Sequence, residues 1–439
     1  MADRRPFLIS IYRGLARALT PVFNILFWSR SRKGKEIASR RGERFGHSAL
    51  ARPSGHLVWI HAASVGETMS ILPVVDALAR DGNKILLTTV TVTSAELAAS
   101  RLPEGATHQF VPYDAPGPLG RFLDHWKPDL AMVVESEIWP CLFDDIRSRK
   151  IPFVLLNGRL SDGSHRNWSR LANVSRYLFN CLDLVLAQSE ADAARFRQLG
   201  CRNVETPGNL KFDAEKPVAD EIALSAVKSQ IGSHPVWLAA LTHPGEEEIA
   251  LRAHEILRRE FPGLLLVLVP RHPARAGEIR ELVEQRGLHV ASRAAGDDIQ
   301  AGTDVYLGDT LGEMGIYYRL APVTFLAGSF SDVGGHNPVE AALSGSALVT
   351  GPKVANARAV YKDFFSSGAA TRLEDPDDLA KAIARLLEDP ERVTDQSAKA
   401  RALVEGNRGA LEKTLQLLQP YLTVEDRDRM PEAPNEQGS

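Results

Sequence analysis

Short runs of apolar residues recur along residues 57–199, and a segment with helical spacing follows each of them. The helical segments include Thr68–Arg80, Gly120–Trp126 and Glu190–Leu199. Each run is continuously apolar rather than alternating, which is typical of strands that are buried on both faces of a parallel sheet. The pattern predicts an α/β domain whose strands are residues 57–60, 84–90, 130–134, 153–156 and 184–187.

The same alternation begins again after a segment rich in proline and glycine, residues 207–235. We therefore predict two Rossmann-like domains that face each other across a cleft, with ligands at the carboxyl ends of the strands. The second set of predicted strands is residues 236–240, 264–269, 305–307, 323–327 and 347–350. The predicted boundaries are 1–45 for an N-terminal segment, 46–215 and 216–423 for the two domains, and 424–439 for a disordered tail.

The N-terminal segment differs from the rest of the chain in charge. Residues 1–50 hold eleven Lys and Arg against three Asp and Glu, whereas the whole chain has a net charge of −3. The acidic remainder argues against a general nucleic-acid binder. Three cysteines without a CxxC spacing suggest neither a disulfide framework nor a zinc site.

An apolar stretch, residues 7–28, lies inside this basic segment. It is long enough to span a bilayer, but Arg13, Arg17 and Pro21 interrupt it. Two membrane interpretations stay open: a poor single span, or an amphipathic helix that lies in the interface beside the basic residues of 30–44. In both, the positive-inside rule keeps the basic side cytoplasmic. A third interpretation is a basic amphipathic helix that packs on the protein itself.

A glycine-rich stretch, residues 328–342, joins a predicted buried strand to a predicted helix. Asn337 is the expected N-cap, Pro338 the first helical residue, and Glu340 the partner of Asn337 in a capping box. Glycines allow close approach of the backbone, and the free N–H groups of a helix start favour an anion such as a nucleotide phosphate. His336 would donate to the same anion. A capped helix after a strand is also ordinary in α/β proteins, so this stretch alone does not decide the function.

Acidic side chains follow two predicted strands of the first domain. Glu67 comes after Ser64 and Gly66 at a predicted helix start, and Glu135 and Glu137 come directly after residues 130–134. A single well-placed carboxylate at a strand end suits a general base that removes a proton from an acceptor hydroxyl. The alternative that Glu67 is a helix cap and nothing more stays open. The pair at 135 and 137 suits the binding of a polyhydroxylated or cationic group.

In the second domain, Arg271 and His272 follow a very apolar predicted strand, where the guanidinium is suited to a phosphate or carboxylate. The chain has no Walker motif and no Gly-x-Gly-x-x-Gly, which weakens ATPase and dehydrogenase interpretations. An Asp-x-Asp pair that binds a metal ion is not expected in the cleft, because residues 375–377 precede a late helix and residues 426–428 lie in the predicted tail.

Several motifs in order carry a resemblance to the 3-deoxy-D-manno-octulosonic acid (Kdo) transferases of lipid A assembly, over roughly residues 5–420. The motifs are Arg41-Gly-Glu-Arg-Phe-Gly46, Ser64-Val-Gly-Glu67, Glu135-Ser-Glu-Ile-Trp-Pro140, Asn157-Gly-Arg-Leu-Ser161, Gly208-Asn-Leu-Lys-Phe-Asp213, Thr242-His-Pro-Gly-Glu-Glu247, Pro270-Arg-His-Pro273, Asp309-Thr-Leu-Gly-Glu313 and Gly334-Gly-His-Asn-Pro-Val-Glu340. The resemblance implies the GT-B glycosyltransferase fold and an inverting transfer of Kdo from CMP-Kdo to a lipid A precursor. It also implies action at the cytoplasmic side of the inner membrane, without a metal or other cofactor.

The resemblance also implies roles for individual residues. Glu67 falls on the catalytic base, and Ser64, Gly66, Glu135 and Glu137 fall in the acceptor site. The implied nucleotide-sugar site is Arg271, His272, Gly312, Glu313, Met314, Ser329, Gly334, Gly335, His336, Asn337 and Glu340. One departure concerns residues 353–357, where the family usually shows His-Thr-Phe-Asn-Phe and this chain keeps only Asn356.

Two alternatives stand beside this interpretation. A transferase that uses a UDP-sugar would have the same fold, since the glycine-rich turn would serve either nucleotide. A catalytically silent protein that binds at a membrane surface would keep the cleft for a ligand only. A measurement of turnover with CMP-Kdo and a lipid acceptor distinguishes these three interpretations.

Overall fold

The structure is a computed structural model that describes residues 4–422. The predicted tail, residues 424–439, lies outside the described residues. Within them the chain forms two fully parallel sheets of seven strands each, with helices packed on them. This confirms the predicted α/β class with two Rossmann-like sheets.

The first sheet has the strand order β3-β2-β1-β4-β5-β6-β7. Its strands are β1 Leu57–His61, β2 Lys84–Thr89, β3 Ala106–Phe110, β4 Leu130–Val134, β5 Phe153–Gly158, β6 Leu184–Ala187 and β7 Val204–Glu205. The five strands in the middle of this order carry the apolar runs that the sequence pattern marked. Every residue of β1 and β4 is buried, as expected for strands that have helices on both sides.

The second sheet has the order β10-β11-β9-β8-β12-β13-β14. Its strands are β8 Val236–Thr242, β9 Leu265–Pro270, β10 Val290–Ser292, β11 Val305–Leu307, β12 Val323–Leu326, β13 Ala347–Thr350 and β14 Ala370–Arg372. The strands at the two edges of each sheet are the four that the apolar pattern missed. Edge strands face water along one side, so they need no continuous apolar run.

The helices connect successive strands and lie on both faces of the sheets. In the first half of the chain they are α1 Phe7–Ala18, α2 Thr20–Ser31, α3 Arg41–Arg44, α4 Val65–Arg80, α5 Val92–Arg101, α6 Pro116–Trp126, α7 Pro140–Ser148, α8 Asp162–Ser169, α9 Ala172–Phe179 and α10 Glu190–Leu199. In the second half they are α11 Glu221–Ile231, α12 Glu246–Leu257, α13 Ala276–Gln285, α14 Met314–Leu320, α15 Val339–Ser344, α16 Arg358–Ser366, α17 Leu379–Leu387, α18 Pro390–Asn407 and α19 Ala410–Leu422.

The described chain divides into two compact units, residues 4–210 together with 409–422, and residues 211–408. The last helix, α19, therefore belongs with the first unit, although the sequence analysis assigned its residues to the second domain. Three apolar residues of α19 are buried in the core of the first sheet, namely Leu418, Tyr421 and Leu422. The same core includes Val58 of β1 and Leu184 of β6. Burial of these apolar side chains holds the helix on the first unit.

Two short helices, α1 and α2, replace the single apolar stretch of residues 7–28. The break falls at Leu19, and Pro21 lies in the first turn of α2, where its missing N–H costs nothing. Arg13 of α1 forms ion pairs of 2.8 Å with both Asp144 and Asp145 of α7. None of the helices in residues 4–422 combines the length and the apolar character that a bilayer crossing requires.

Candidate active site

The strand order places a topological switch point in each sheet. In the first sheet β1 is the point of reversal, because β2 lies on one side of it and β4 on the other. Ligands of open α/β sheets bind outside the carboxyl ends of the strands at such a point. The segment after β1 contains Ser64 and Glu67, and the segment after β4 contains Glu135 and Glu137, so the fold brings these predicted residues to one edge of the sheet.

Glu67 lies in the first turn of α4 and acts as part of a helix cap. Its backbone N–H donates to Ser64 Oγ at 3.3 Å, and that hydroxyl donates to Glu67 Oε1 at 3.0 Å. The other carboxylate oxygen, Oε2, accepts from the Ala63 N–H at 2.8 Å. Gly66 is the second residue of the same helix. Glu67 is therefore part of the N-terminal cap of α4, as one of the two sequence interpretations expected. The hydrogen bonds of this cap fix the position of the carboxylate.

The environment of Glu67 also changes its acidity. Burial, followed by the negative charges of Glu137 and Glu135, raises the pKa of Glu67 to about 7. The hydrogen bonds from Ala63 and Ser64 act in the opposite direction and are outweighed. A carboxylate whose pKa lies near neutral pH is suited to accept a proton and to release it again. A cap role and a general-base role are thus compatible in this side chain.

Glu135 and Glu137 lie in a constrained turn after β4. Glu135 adopts a left-handed backbone conformation, with φ of 56°, which a residue other than glycine rarely adopts. The Trp139 indole N–H donates to Glu137 Oε2 at 2.8 Å, and burial raises the pKa of Glu137. The His61 ring packs edge-on against Trp139, with 4.9 Å between the centroids. The three carboxylates thus form a group in which Glu135 is buried and Glu67 and Glu137 are half-buried, with the Trp139 ring on one side.

His61 is a member of this group that the sequence analysis did not single out. It is fully buried at the end of β1, and its Nδ1 lies 3.1 Å from the Thr88 carbonyl oxygen. Its Nε2 is 3.8 Å from Glu137 Oε2. Burial lowers the pKa of His61 to about 4, so the ring is neutral at physiological pH. A histidine inside an apolar strand gave no signal beyond that of an ordinary core residue.

In the second unit the switch point lies at β8, between β9 and β12. Arg271 and His272 follow β9, and His243 follows β8. These three residues lie close enough to affect one another electrostatically. Burial, followed by the charges of His272 and Arg271, lowers the pKa of His243 to about 4. Among the described residues, no carboxylate forms an ion pair with the half-buried Arg271 guanidinium. This side chain is therefore available to a ligand anion.

The glycine-rich turn after β12 is held by a carboxylate of the chain itself. Glu246, at the start of α12, is 1% exposed. Its Oε2 accepts from the Gly328 N–H at 2.7 Å, and its Oε1 accepts from the N–H groups of Ser329 and Phe330 at 2.9 and 3.0 Å. These three amides are therefore occupied by Glu246, which makes this part of the turn a rigid support. The helix start, whose N–H groups were the expected phosphate donors, lies further along the chain at Val339.

The His336 ring makes its contacts with the end of β8 and with His243, which follows that strand. Its Nε2 lies 3.1 Å from the Leu241 carbonyl oxygen and 3.1 Å from His243 Nε2, and the two rings stack with an angle of 13° between them. Burial and the charge of His243 lower the pKa of His336 to about 3. The ring is neutral and is directed into the protein. His336 therefore braces the turn in this structure, and its donation to a ligand anion stays a prediction.

The helix after the turn begins at Val339, one residue later than predicted, and is only six residues long. Asn337 Oδ1 still accepts from the Val339 N–H at 3.3 Å, and Asn337 Nδ2 donates to the Lys211 carbonyl oxygen. Glu340 is half-buried in the first turn of α15. Pro338 occupies the N-cap position without a side-chain hydrogen bond, so the predicted first helical residue lies just outside the helix.

Gly334 and Gly335 form the tight part of the turn. Both have positive φ, of 92° and 77°, and the Gly335 N–H donates to the Gly328 carbonyl oxygen at 2.7 Å. Asn356 Nδ2 donates to the carbonyl oxygens of Val333 and Gly335. Asn356 is the one residue of the family pattern at 353–357 that this chain keeps, and its hydrogen bonds hold the turn in position.

Two of the remaining predicted nucleotide-site residues, Ser329 and Glu313, form hydrogen bonds that hold neighbouring loops. Ser329 is fully buried, and its Oγ accepts from the Gly351 N–H at 2.8 Å. Glu313 accepts two hydrogen bonds from the Arg293 guanidinium, at 3.0 and 2.7 Å, which lower its pKa. Gly312 has a φ of 82° in the exposed turn before α14, and Met314 is the first residue of that helix. Within residues 4–422, no group of three or more His, Cys, Asp or Glu is arranged to hold a metal ion.

Comparison with known proteins identifies the family. Residues 39–214 match the family model described as 3-deoxy-D-manno-octulosonic-acid transferase (kdotransferase). The chain is 34% identical over 427 residues to the 3-deoxy-D-manno-octulosonic acid transferase of Bordetella pertussis, covering 94% of this chain and 99% of that protein. It is 31% identical over 418 residues to that of Rickettsia bellii, covering 94% and 100%.

A solved structure shares the fold at much lower sequence identity. The glycosyltransferase from Rickettsia africae superposes with a TM-score of 0.51 at 11% identity, covering 85% of this chain and 100% of that one. This similarity concerns the fold alone and agrees with the expected GT-B architecture. The sequence identity to the two relatives extends over almost the whole chain. The chain therefore belongs to the 3-deoxy-D-manno-octulosonic acid transferases.

Proposed function

We propose that this transferase moves Kdo from CMP-Kdo to a lipid A precursor, with Glu67 as the general base. The observation that carries the proposal is the fixed carboxylate of Glu67, whose pKa is raised to about 7 at the switch point of the first sheet. The acceptor hydroxyl attacks the anomeric carbon of Kdo, and the bond from that carbon to the phosphate of CMP breaks. Glu67 takes the hydroxyl proton, and CMP leaves with the electron pair.

Arg271 is the group that we assign to the phosphate of CMP. A guanidinium forms two parallel hydrogen bonds with a phosphate, and such charge-assisted bonds are about twice as strong as neutral ones. The leaving phosphate gains negative charge as the bond to Kdo breaks, so this contact strengthens in the transition state. His243 and His336 near Arg271 stay neutral, because burial first and the neighbouring positive charges second lower the pKa of both.

The direct test combines purified protein with CMP-Kdo and a tetraacylated lipid A precursor, in the presence of excess EDTA. We expect a product heavier than the acceptor by one or more Kdo residues, measured by mass spectrometry, with inverted configuration at the transferred carbon. A parallel reaction with UDP-sugars should give no product. Transfer from a UDP-sugar, or binding of CMP-Kdo without turnover, would contradict the proposal in favour of one of the two alternatives.

The pH dependence of kcat/KM follows from the acidity of Glu67. The base must be deprotonated to act, and its pKa in the free enzyme is raised to about 7. We therefore expect kcat/KM to rise tenfold per pH unit below about pH 7 and to level off above it. In Glu67→Gln this inflection should disappear. An inflection that stays near pH 7 in the variant would assign the titration to another group, with Glu137 the first candidate.

Substitution of Arg271 should weaken donor binding. Loss of a hydrogen bond to a charged partner costs about 1.5–3 kcal/mol, so Arg271→Ala should raise the Kd of CMP by about 10–150-fold. Isothermal titration calorimetry with CMP measures this directly. The matched control is Arg252→Ala, at an exposed ion pair with Asp377 in the same unit, which should leave the Kd unchanged. An unchanged Kd in Arg271→Ala would exclude it from the phosphate site.

We also propose that α1 and α2 lie on the cytoplasmic face of the inner membrane. Both helices expose large apolar side chains, and basic residues follow them in the chain. The exposed residues are Phe7, Leu8, Ile11, Tyr12, Leu15, Leu19, Val22, Ile25, Leu26 and Trp28. A cluster of this kind beside Arg and Lys is typical of an interfacial helix on anionic lipid.

A single substitution tests this surface. Ile25 is 71% exposed, and burial of one such side chain contributes about 1.5–3 kcal/mol, so Ile25→Ser should lower partitioning into phosphatidylglycerol vesicles about tenfold or more. Ile222→Ser, at an 85% exposed position of α11, is the matched control and should partition like the wild type. Vesicle sedimentation measures both. Deletion of α1 and α2 would be a less specific test, because it would also remove Ile9 and Phe27, which are buried and contribute to packing.

A further inference from the structure

A cavity of about 340 Å³ lies in the first unit beside the group of acidic residues. Its volume is at the lower end of the range for small-molecule sites, which is about 300–1,000 Å³. It is too small for a protein segment with side chains, but its size suits one hydrocarbon chain. Its walls are Tyr12, Leu26, Arg30, Glu36, Arg44, Val90, Val111, Pro112, Tyr113, Asp114, Ile138, Trp139 and Pro140.

The acidic members of the wall already have hydrogen-bond partners within the unit. Glu36 accepts from Arg44 at 2.9 and 3.0 Å and from Arg30 at 3.0 Å. Asp114 accepts from the Tyr12 hydroxyl and from the N–H groups at the start of α7. Most of the other lining residues are apolar or aromatic. The cavity therefore offers contact to a hydrocarbon chain and no free carboxylate or cation to a charged small molecule.

One polar atom of the wall has no partner. The Tyr113 hydroxyl oxygen is buried and forms no hydrogen bond with the described residues. A buried hydroxyl without a partner costs free energy unless a ligand supplies one. An acyl chain that carries an ester, amide or hydroxyl oxygen near its root would supply such a partner. A plain alkane would not.

The position of the cavity connects two surfaces described above. Trp139 is part of its wall, and the same indole donates to Glu137 in the acidic group. Tyr12 and Leu26 are also part of the wall, and both belong to the exposed apolar side chains of α1 and α2. A chain held here would have its polar root within the unit that carries Glu67. Its other end would lie among side chains that we assign to the membrane surface.

From these observations we propose that the cavity binds one acyl chain of the lipid acceptor and so positions the acceptor hydroxyl for Glu67. The inference rests on the proposed function, since it takes the acceptor to be a lipid. An acyl chain of a membrane phospholipid has the same chemistry, and the experiment separates the two sources. Val90, which is half-buried in the wall, offers a place to fill the cavity without touching the acidic group.

A binding experiment examines the cavity without catalysis. In a Trp28→Phe background, which removes an exposed indole, 12-bromododecanoate should quench the emission of Trp139. Val90→Phe should abolish this quenching, and Val218→Phe, at an exposed valine of the second unit, should leave it intact. The tetraacylated acceptor should restore the emission by competition. Competition by phosphatidylglycerol vesicles and not by the acceptor would overturn the assignment to the acceptor.

The kinetic arm compares the same variants in the transfer reaction. Each methylene that no longer enters the cavity weakens binding about fourfold, so Val90→Phe should raise KM for the acylated acceptor about tenfold or more. kcat at saturation and the KM for CMP-Kdo should stay within about twofold of the wild type. Tyr113→Phe, which keeps the ring, should raise the acceptor KM about threefold to tenfold.

Different results would contradict the proposed function and the acyl-chain site. Absence of Kdo transfer in the wild-type protein would contradict the proposed function, before any variant is compared. Normal transfer with an acceptor KM that is the same in Val90→Phe, Val218→Phe and the wild type would overturn the acyl-chain site alone. Equal quenching in Val90→Phe and the wild type would overturn it as well.

Discussion

Replacement of Glu67 by Gln is expected to lower turnover by about 10²–10⁴, the usual cost of losing a general base. Gln has the size of Glu, so its side-chain oxygen still accepts from the Ala63 or Ser64 donors that hold the wild-type carboxylate. What it loses is the capacity to accept a proton at neutral pH. The fall should therefore appear in kcat, with the Kd of CMP nearly unchanged, in steady-state kinetics and calorimetry.

Ser64→Ala is the control that separates the base from the cap. Loss of an N-cap costs typically about 1 kcal/mol of stability, but it leaves the Glu67 carboxylate in place with one hydrogen bond from Ala63. We expect Ser64→Ala to lose much less turnover than Glu67→Gln, because the carboxylate that accepts the proton is still present, and any further loss from the acceptor site should appear in the KM for the acceptor. Near-normal turnover in Glu67→Gln, or retained configuration in the product, would leave Glu67 as a cap only. Glu135 and Glu137 would then be the next candidates for the base.

Replacement of Glu246 by Ala is expected to destabilise the second unit by about 3 kcal/mol or more. The carboxylate accepts from four backbone N–H groups, those of residues 243, 328, 329 and 330. A buried donor left without an acceptor costs about 1–3 kcal/mol, and part of that cost is recovered where water enters. Donor binding should weaken together with stability, because the same carboxylate shapes the glycine-rich turn.

Hydrogen exchange of the full-length protein resolves this effect locally. In Glu246→Ala the amides of residues 328–330 should exchange much faster, whereas β1 to β4 of the first unit should keep their protection. Glu255→Ala on the same helix removes a surface ion pair with Arg286 and should cost less than about 1 kcal/mol. Equal exchange in the two variants would show that Glu246 does not hold the turn.

Much of the architecture was predictable from the sequence by itself. Ten continuously apolar runs, five in each half, identified the strands in the middle of both sheets, because burial on two faces requires apolar residues at every position. The motifs at the ends of those strands indicated the family, and the order of the strands then placed Glu67, Glu135 and Glu137 at one edge. The four edge strands were missed, since a strand with one solvent-exposed side carries no such run.

Only the tertiary structure decided what surrounds these residues. The pKa of Glu67 depends on burial and on carboxylates that follow another strand, about 70 residues away in the chain. Three of the four amides that donate to Glu246 lie 82 to 84 residues further along the chain, so no local pattern predicts that this part of the turn is already occupied. His336 is neutral mainly because folding buries it, with the charge of His243 as the second cause, and α19 returns to the first unit because its apolar face packs into a core there. Sequence periodicity reports whether a residue is buried, whereas acidity and hydrogen-bond partners are set by distant segments that folding brings together.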